Sequence, residues 1–454
     1  MIKLNRNTFM YKCNFRKTMG MRNKKRSAFL KALTIIWGTA FILMSFNGCT
    51  KGKNEKPKGT VLKLAYAGGL LSKSIMESVI DSFERSHPGI TVEMQYIENN
   101  YPQKLQTQIA GGTCPDLVWV PDIQFSAYVS KGAFMKLDTF SKNDEKFNLD
   151  DYYPQAVEMF KYQDGLYGIP LNCAPLVLQY NKDLFDEAGI KYPVKDWTWD
   201  DFLIAAKNLT RDTNGDGRID QFGFSGPNTI HLMTAFIWQN GGDIFDKKRG
   251  ISTIDSSASI EAVDFYINLI RKYRVSPNLQ ESKDYPTYEM YWAGKIGMTP
   301  FICPWTPEAI KNQRFRWDVA PLPRRKKEAT TFFADGFAIY KGTKYPSEAW
   351  ELLKYLTGPT GQGIYCKARK IFPTLKKLAN SEVFLNPSAP PENKQVFLQA
   401  MTHALPLPIT PEFSEIDGTI ISRQMELALL GQKSAAEACK SMKDGIEELL
   451  KKGN

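Results

Sequence analysis

From residue 61 onward the chain alternates two hydrophobic rhythms. V-L-K-L-A-Y at 61–66 and I-T-V-E-M-Q-Y at 90–96 alternate in the two-residue period of a strand. Between them Leu71, Ile75, Met76, Val79, Ile80 and Phe83 recur at helical spacing, and Pro88–Gly89 supplies the stop. Tyr101–Ala110 reads as a helix closed by Gly111–Gly112, and D-L-V-W-V at 116–120 as a short buried strand. This β-α-β-α-β order predicts a parallel sheet covered by helices on both faces.

The later chain is richer in helix. Thr198 and Asp201 in T-W-D-D form a capping box, and Ile260, Val263, Tyr266, Ile267 and Ile270 mark one apolar face. Ser347 opens a helix carrying Trp350, Leu353 and Leu356. Ser434 and Glu437 cap a terminal helix carrying Met442, Ile446, Leu449 and Leu450. Residues 386–411 are rich in proline and are expected to wind over the surface. The roughly 395 residues after position 59 suffice for two substantial domains.

The N-terminal segment has another character. Arg22, Lys24, Lys25 and Arg26 precede an apolar stretch from Ala32 to Phe46, followed by Asn47, Gly48 and Cys49. A basic head, a short apolar middle and a small residue at a cleavage point make an export signal. The stretch falls short of the ~20 residues that a spanning helix needs. The cysteine sits as in the lipobox of bacterial lipoproteins, which this segment resembles, with Phe46 and Asn47 in place of the usual aliphatic and small residues. The resemblance implies a signal peptide over 1–48 and a chain acylated at Cys49, anchored by lipid on the outer face of the cell membrane. Ordinary secretory cleavage with an unmodified cysteine is the alternative. Residues 49–59, almost devoid of apolar side chains, form a flexible tether.

This reading changes the meaning of the charge. The chain carries 59 Lys and Arg against 48 Asp and Glu, a net +11. Ten of the basic residues and none of the acidic ones lie in 1–48, which leaves 49 against 48. The remainder is close to neutral, so the composition gives no basic footprint for nucleic acid. Of the seven cysteines, Cys13 falls in the signal and Cys49 at its end. Cys114, Cys173, Cys303, Cys366 and Cys439 are scattered, which suits neither a disulfide framework nor a zinc site. Three histidines far apart form no metal motif. No cofactor is expected.

Several segments, taken in order, resemble the extracellular solute-binding proteins of family 1, the maltose-binding-protein-like sugar-binding lipoproteins of ATP-driven importers. They are P-D-L-V-W-V-P-D at 115–122, Y-G-I-P-L at 167–171, L-Q-Y-N-K-D-L-F at 178–185 and D-T-N-G-D-G-R-I-D-Q-F-G-F at 212–224. W-Q-N-G-G-D-I-F at 238–245, G-K-I-G-M at 294–298, W-D-V-A-P-L-P at 317–323 and P-S-E-A-W-E-L-L-K-Y-L-T at 346–357 complete the set. The resemblance implies an α/β, two-lobed periplasmic-binding-protein fold with hinge crossings and a ligand cleft between the lobes. By analogy the crossings lie near Leu171–Pro175 and Ala334–Phe337, where Pro170, Pro175 and Gly336 restrict or free the backbone. The N-terminal lobe is then 60–170 plus 338–380, and the C-terminal lobe 171–337 plus 381–454. The implied protein is a monomer that hands a carbohydrate, an oligosaccharide for preference, to ABC transporter permease subunits, with no catalysis of its own.

A neutral sugar is held by flat aromatic rings against its C–H faces and by carboxylates or amides at its hydroxyls. Trp119 and Asp122 stand at the end of a parallel strand, where open α/β sheets place ligands. There the resemblance places an aromatic ring and a sugar-binding carboxylate. Tyr180 and Trp305 match stacking positions of the family. Trp238, Asn240 and Asp243 surround Gly241–Gly242, where the amide and acid could reach hydroxyls or the glycines could simply end a helix. Asp335 lies in the second crossing, to meet ligand or to bond the hinge backbone, and Tyr66 to Gly69 forms a weaker candidate for the cleft edge. Asp212, Asn214, Asp216 and Asp220 resemble half a calcium loop, but Gly223 replaces the bidentate Glu, which favours an oxygen-rich turn. Two other readings stay open. One is a lipid-anchored glycoside hydrolase, which needs two carboxylates across one bond. The other keeps the fold with a ligand that is not a sugar.

Overall fold

The computed structural model describes residues 59–68, 70–226, 230–246, 250–301, 314–368, 371–388, 390–407 and 410–453. The expected signal peptide, Cys49, the expected tether up to residue 58 and Trp305 lie outside them. The N-terminal alternation folds nearly as its periods predict. Strand β1 (Thr60–Ala67) leads through helix α1 (Leu70–Ser86) to β2 (Ile90–Ile97), and α2 (Tyr101–Ala110) leads to β3 (Leu117–Pro121) and α3 (Asp122–Val129). In α1 the side chains of Ile75, Met76, Val79, Ile80 and Phe83 are buried. Strand β1 lies between β2 and β3, parallel to both.

An antiparallel strand, Thr330–Ile339, extends this sheet beyond β3, and Ile169–Pro175 pairs with its other edge. A second, mixed sheet orders Trp317–Ala320, Val177–Asn181, Ile296–Phe301 and Phe222–Phe224 side by side. Two large cores, and a small cluster of Phe222, Met290, Tyr291 and Ile296, follow from the two sheets. The first gathers Leu64, Phe83, Val118, Phe160, Phe332, Trp350 and Phe397. The second gathers Phe185, Phe202, Phe236, Tyr266, Phe413, Met425 and Met442. This is the two-lobed α/β fold expected.

Among the described residues the chain passes between the cores three times, at one place. Leu176 links the strands ending at Pro175 and beginning at Val177. Its N–H donates to the Thr331 carbonyl at 2.9 Å. Its own carbonyl accepts from Thr330 Oγ1 at 2.7 Å. Thr330 and Thr331 pair in turn with Ala404 and Leu405, the third passage. The segments expected to be crossings, Leu171–Pro175 and Ala334–Phe337, lie instead inside the first sheet. Gly336 serves close approach there: a Cβ would stand 2.3 Å from the Ile169 carbonyl oxygen.

The proline-rich stretch departs from its expected surface course. Gln395–Met401 is a helix that buries Val396, Phe397, Ala400 and Met401. Phe384 and this helix pack on the first core, so residues 381–404, expected in the second lobe, fill the first. Short apolar spacing inside a segment punctuated by prolines was enough to build about two turns of buried helix.

Candidate functional site

Two neighbouring strands at the lobe junction carry accessible side chains among the described residues. Along Thr330–Ile339 only Phe333 and Asp335 escape full burial. On the neighbouring β3 only Trp119 and Pro121 do so. The strand alternation places Phe333 and Asp335 on one face, about 6–7 Å apart along the chain.

Trp119 is fixed from three sides. Its Nε1–H donates to Asp335 Oδ1 at 2.9 Å. Its ring meets the edges of Tyr66 and Tyr101, at 6.1 and 5.6 Å between centroids. The Tyr101 hydroxyl donates to the Trp119 carbonyl at 2.6 Å. Asp335 also accepts from Asn172 Nδ2 at 2.9 Å, and Asn172 Oδ1 accepts from the Phe372 N–H at 2.9 Å. Burial raises the Tyr66 phenol well above its ordinary range, and nearby Asp335 adds to that rise.

Asp122 lies beneath this platform rather than in it. Only 2% of its surface is exposed. Oδ1 accepts from the Ile123 N–H at 2.7 Å, and Oδ2 accepts from the Ala334 N–H at 2.9 Å. The carboxyl therefore clips the start of α3 to the hinge strand. Burial pushes its pKa up to about 7 and the Asp335 charge adds to that; the two N–H donors work against the rise.

On the other side of the junction stands His231, in the first turn of the helix Ile230–Gln239. Its imidazole stacks on Phe333 at 3.5 Å between ring centroids, 26° from parallel. Its carbonyl accepts from Thr331 Oγ1 at 3.4 Å. The residue is 3% exposed, and neither ring nitrogen has a hydrogen-bond partner. Desolvation lowers its pKa to about 3, so the ring is neutral at physiological pH.

The remaining sequence candidates sit elsewhere. Tyr180 belongs to the second core, 5% exposed, with its ring against Phe185 and Tyr192, each at 5.4 Å. The two-residue period of its strand could not tell which face met the core. Trp238 lies about 10 Å along the helix from His231, buried in the same core. Its Nε1–H donates to the exposed Asp243 at 2.9 Å, and Gly241 takes a φ of 81° at the helix end. Asn240 is fully buried and clips the Ala258 carbonyl and Glu261. These three brace a helix end, and the glycines act as its cap. In the 212–220 loop the acids are spent on the loop itself. Asp212 accepts from the N–H groups of Gly215 and Gly217, and Asp220 accepts from the N–H and hydroxyl of Thr213. Among the described residues no group of three or more His, Cys, Asp or Glu is placed to hold a metal ion.

Of the sequence candidates the structure brings Trp119 and Asp335 together here, with Asn172, Phe333 and His231 beside them, which were not among those candidates. The spacing of Phe333 and Asp335 in T-T-F-F-A-D-G-F was a usable signal for Phe333. For His231 there was none beyond the residue type.

Comparison with known proteins fits this geometry. The model of the bacterial extracellular solute-binding proteins matches residues 68–363. The chain belongs to that family. A Brucella abortus protein named only as a binding protein is 25% identical over 391 residues, covering 83% of this chain and 90% of its own length. The galactooligosaccharide-binding protein of Bacillus subtilis is 23% identical over 362 residues, covering 75% and 78%. An ABC substrate-binding protein of Listeria monocytogenes, solved in complex with cycloalternan, superimposes with a TM-score of 0.79 at 27% identity. It covers 86% of this chain and 99% of its own. Among the described residues of this solute-binding protein, no helix is long and apolar enough to cross a membrane.

Proposed function

We propose that this solute-binding protein captures a carbohydrate, an oligosaccharide for preference, in the cleft at the lobe junction and delivers it to an ABC transporter permease. The observation that carries the reading is the Trp119 ring, held by Asp335 and two tyrosines on an accessible strip of the hinge strands. A flat ring locked before ligand arrives loses little entropy on binding. The sugar ligands named for several relatives support the same class. The two cores act as lobes that close about the three crossings, and the protein works as a monomer tethered through acylated Cys49.

One observation favours a hydrolase instead: a carboxyl with a pKa of about 7 beside a second carboxylate is the pairing that general-acid catalysis uses. The geometry argues against it. Asp122 is 2% exposed and both its oxygens are engaged by backbone N–H groups, so no glycosidic oxygen reaches it. Its raised pKa follows from burial.

The test is calorimetry on the mature protein with a panel of galactooligosaccharide, cycloalternan, maltotriose and mannitol, with chromatography of the sugars afterwards. Saturable binding without new products is expected. Product formation would turn the reading to the enzyme, and silence across the panel would remove carbohydrate as the ligand. For the anchor, Cys49→Ala should release the protein from membranes; unchanged membrane retention and mass would sink that part.

A further inference from the structure

We infer that Asp417 is an open carboxylate of the second lobe's wall, where it accepts hydrogen bonds from hydroxyls of a carbohydrate that lies on Trp119. This rests on the carbohydrate reading above and adds a residue that the second lobe contributes to it. Three observations carry it. The first is the state of the side chain. Asp417 is half-buried. Burial raises its carboxyl above the usual range, and no donor or cation among the described residues offsets that rise. A carboxylate drawn partly out of water without a partner is costly, so a native protein keeps it for a reason. Asp122 differs on both counts, being sealed from solvent with each oxygen bonded to a backbone N–H. The oxygens of Asp417 are neither sealed nor spent.

The second observation is the backbone beneath it. Phe413–Glu415, Ile416–Ile421 and Ser422–Leu429 run on as one helix, and the middle stretch is π-helical. Such a widened turn is rare, and it is frequent where a helix serves a functional site. Ile416 and Ile421 stay anchored in the second core, while Asp417, Gly418 and Thr419 between them come out toward solvent.

The third observation is position. Phe413–Glu415 packs against α3 of the first lobe, and Ile123, the second residue of α3, packs against the second core. The lobes therefore meet at the start of α3, next to Pro121, which is accessible on the same strand as Trp119. Asp417 lies one turn beyond Phe413, about 6 Å along the helix. A helical side chain leans back toward the helix N-terminus, which here is toward that contact. A ligand on the Trp119 ring that extends past Pro121 meets this carboxylate next. A sugar brings hydroxyl donors to it, whereas a ligand with a carboxylate or phosphate at that end would be repelled.

The test uses the tightest-binding sugar of the panel. Asp417→Ala should bind it at least fivefold more weakly, since hydrogen bonds to a charged acceptor are the strong ones. Its unliganded urea midpoint should be unchanged or raised, because an unpaired carboxylate has been removed. Asp417→Asn, which keeps one acceptor oxygen, should recover part of the loss. Glu415→Gln, at an exposed carboxylate two residues earlier, should bind as the wild type does. Carbodiimide coupling of glycinamide to accessible carboxyls, read by peptide mass, reports the contact directly: Asp417 should be labelled in the free protein and protected at saturating sugar. If Asp417→Ala loses less than fivefold, if Glu415→Gln loses as much, if sugar leaves the labelling unchanged, or if Asp417→Ala is less stable without sugar, the assignment of Asp417 falls and carbohydrate capture stands. If no sugar of the panel binds the wild type, carbohydrate capture falls and takes this role with it.

Discussion

The two walls of the junction differ in how far they are finished. On the first-core side every polar atom at the site is engaged: Trp119 Nε1, both oxygens of Asp335, Asn172 at both ends, and both oxygens of Asp122. On the second-core side the imidazole of His231 has neither of its bonds. The first wall is a preorganised platform, whose cost was met during folding. The second keeps an unpaired, sealed imidazole stacked on Phe333.

The largest test of this contrast is at the glycines behind each wall. A Cβ on Gly336 would stand 2.3 Å from the Ile169 carbonyl oxygen and 2.9 Å from Pro170 Cα, both backbone atoms held in the sheet. One on Gly226, just before the His231 helix, would first meet side-chain atoms, those of Leu232 and Phe224 at 2.7 and 2.9 Å. Gly336→Ala should therefore cost about 3 kcal/mol of stability, the upper end of overpacking, and Gly226→Ala about 1 kcal/mol. Urea unfolding of both variants measures this. Equal losses would mean the first wall is no more rigidly backed than the second.

Next in size is Asp335→Ala, which strips Trp119 Nε1 and Asn172 Nδ2 of their acceptor together. The expected loss is about 2–3 kcal/mol of stability, with weaker sugar binding because the tryptophan is no longer held. Asp335→Asn, which keeps one acceptor, should lose less in both. If Asp335→Ala melts like the wild type, the platform is not held by this carboxylate.

How much of this was legible beforehand follows from the range of the signals. The elements from Thr60 to Pro121 were readable because hydrophobic period, glycine stops and strand length are all local. The capping box at Thr198 and Asp201 was readable for the same reason, and both of its hydrogen bonds form. The third crossing at Ala404–Leu405 was not, because a two-residue strand has no period. The helix Gln395–Met401 was masked by the prolines around it. Trp119 could be placed by strand order alone, at the end of a parallel strand. Tyr180 could not, because alternation says that side chains differ in facing without saying which face meets a core. Trp238, Asn240 and Asp243 looked like a polar cluster in sequence, and their hydrogen bonds turned out to be directed at one another and at a helix end. His231 was invisible, since an unpaired buried nitrogen is defined by what surrounds it, and those neighbours come from Thr331 and Phe333, a hundred residues away.

The smallest effect in the wild type is also the sharpest check on the two walls, because it comes from two slopes that oppose. The folded-state pKa of Asp122 is raised from 3.8 to about 7. Between these values the folded state binds more protons than the unfolded, so this group's contribution falls as pH rises. The folded-state pKa of His231 is lowered from 6.5 to about 3. Between those values the unfolded state binds more protons, so stability falls as pH drops through 6.5. Where the windows overlap, from about pH 4 to 6.5, each group alone gives at most about 1.4 kcal/mol per pH unit, with opposite signs. The pair should nearly cancel. Removing one partner exposes the other: His231→Phe should make stability decline with rising pH across this window, and Asp122→Asn should make it climb. Urea midpoints at pH 4.5, 5.5 and 6.5 for the three proteins decide the matter. Parallel curves for all three would mean that neither group is as dehydrated as its wall of the junction requires.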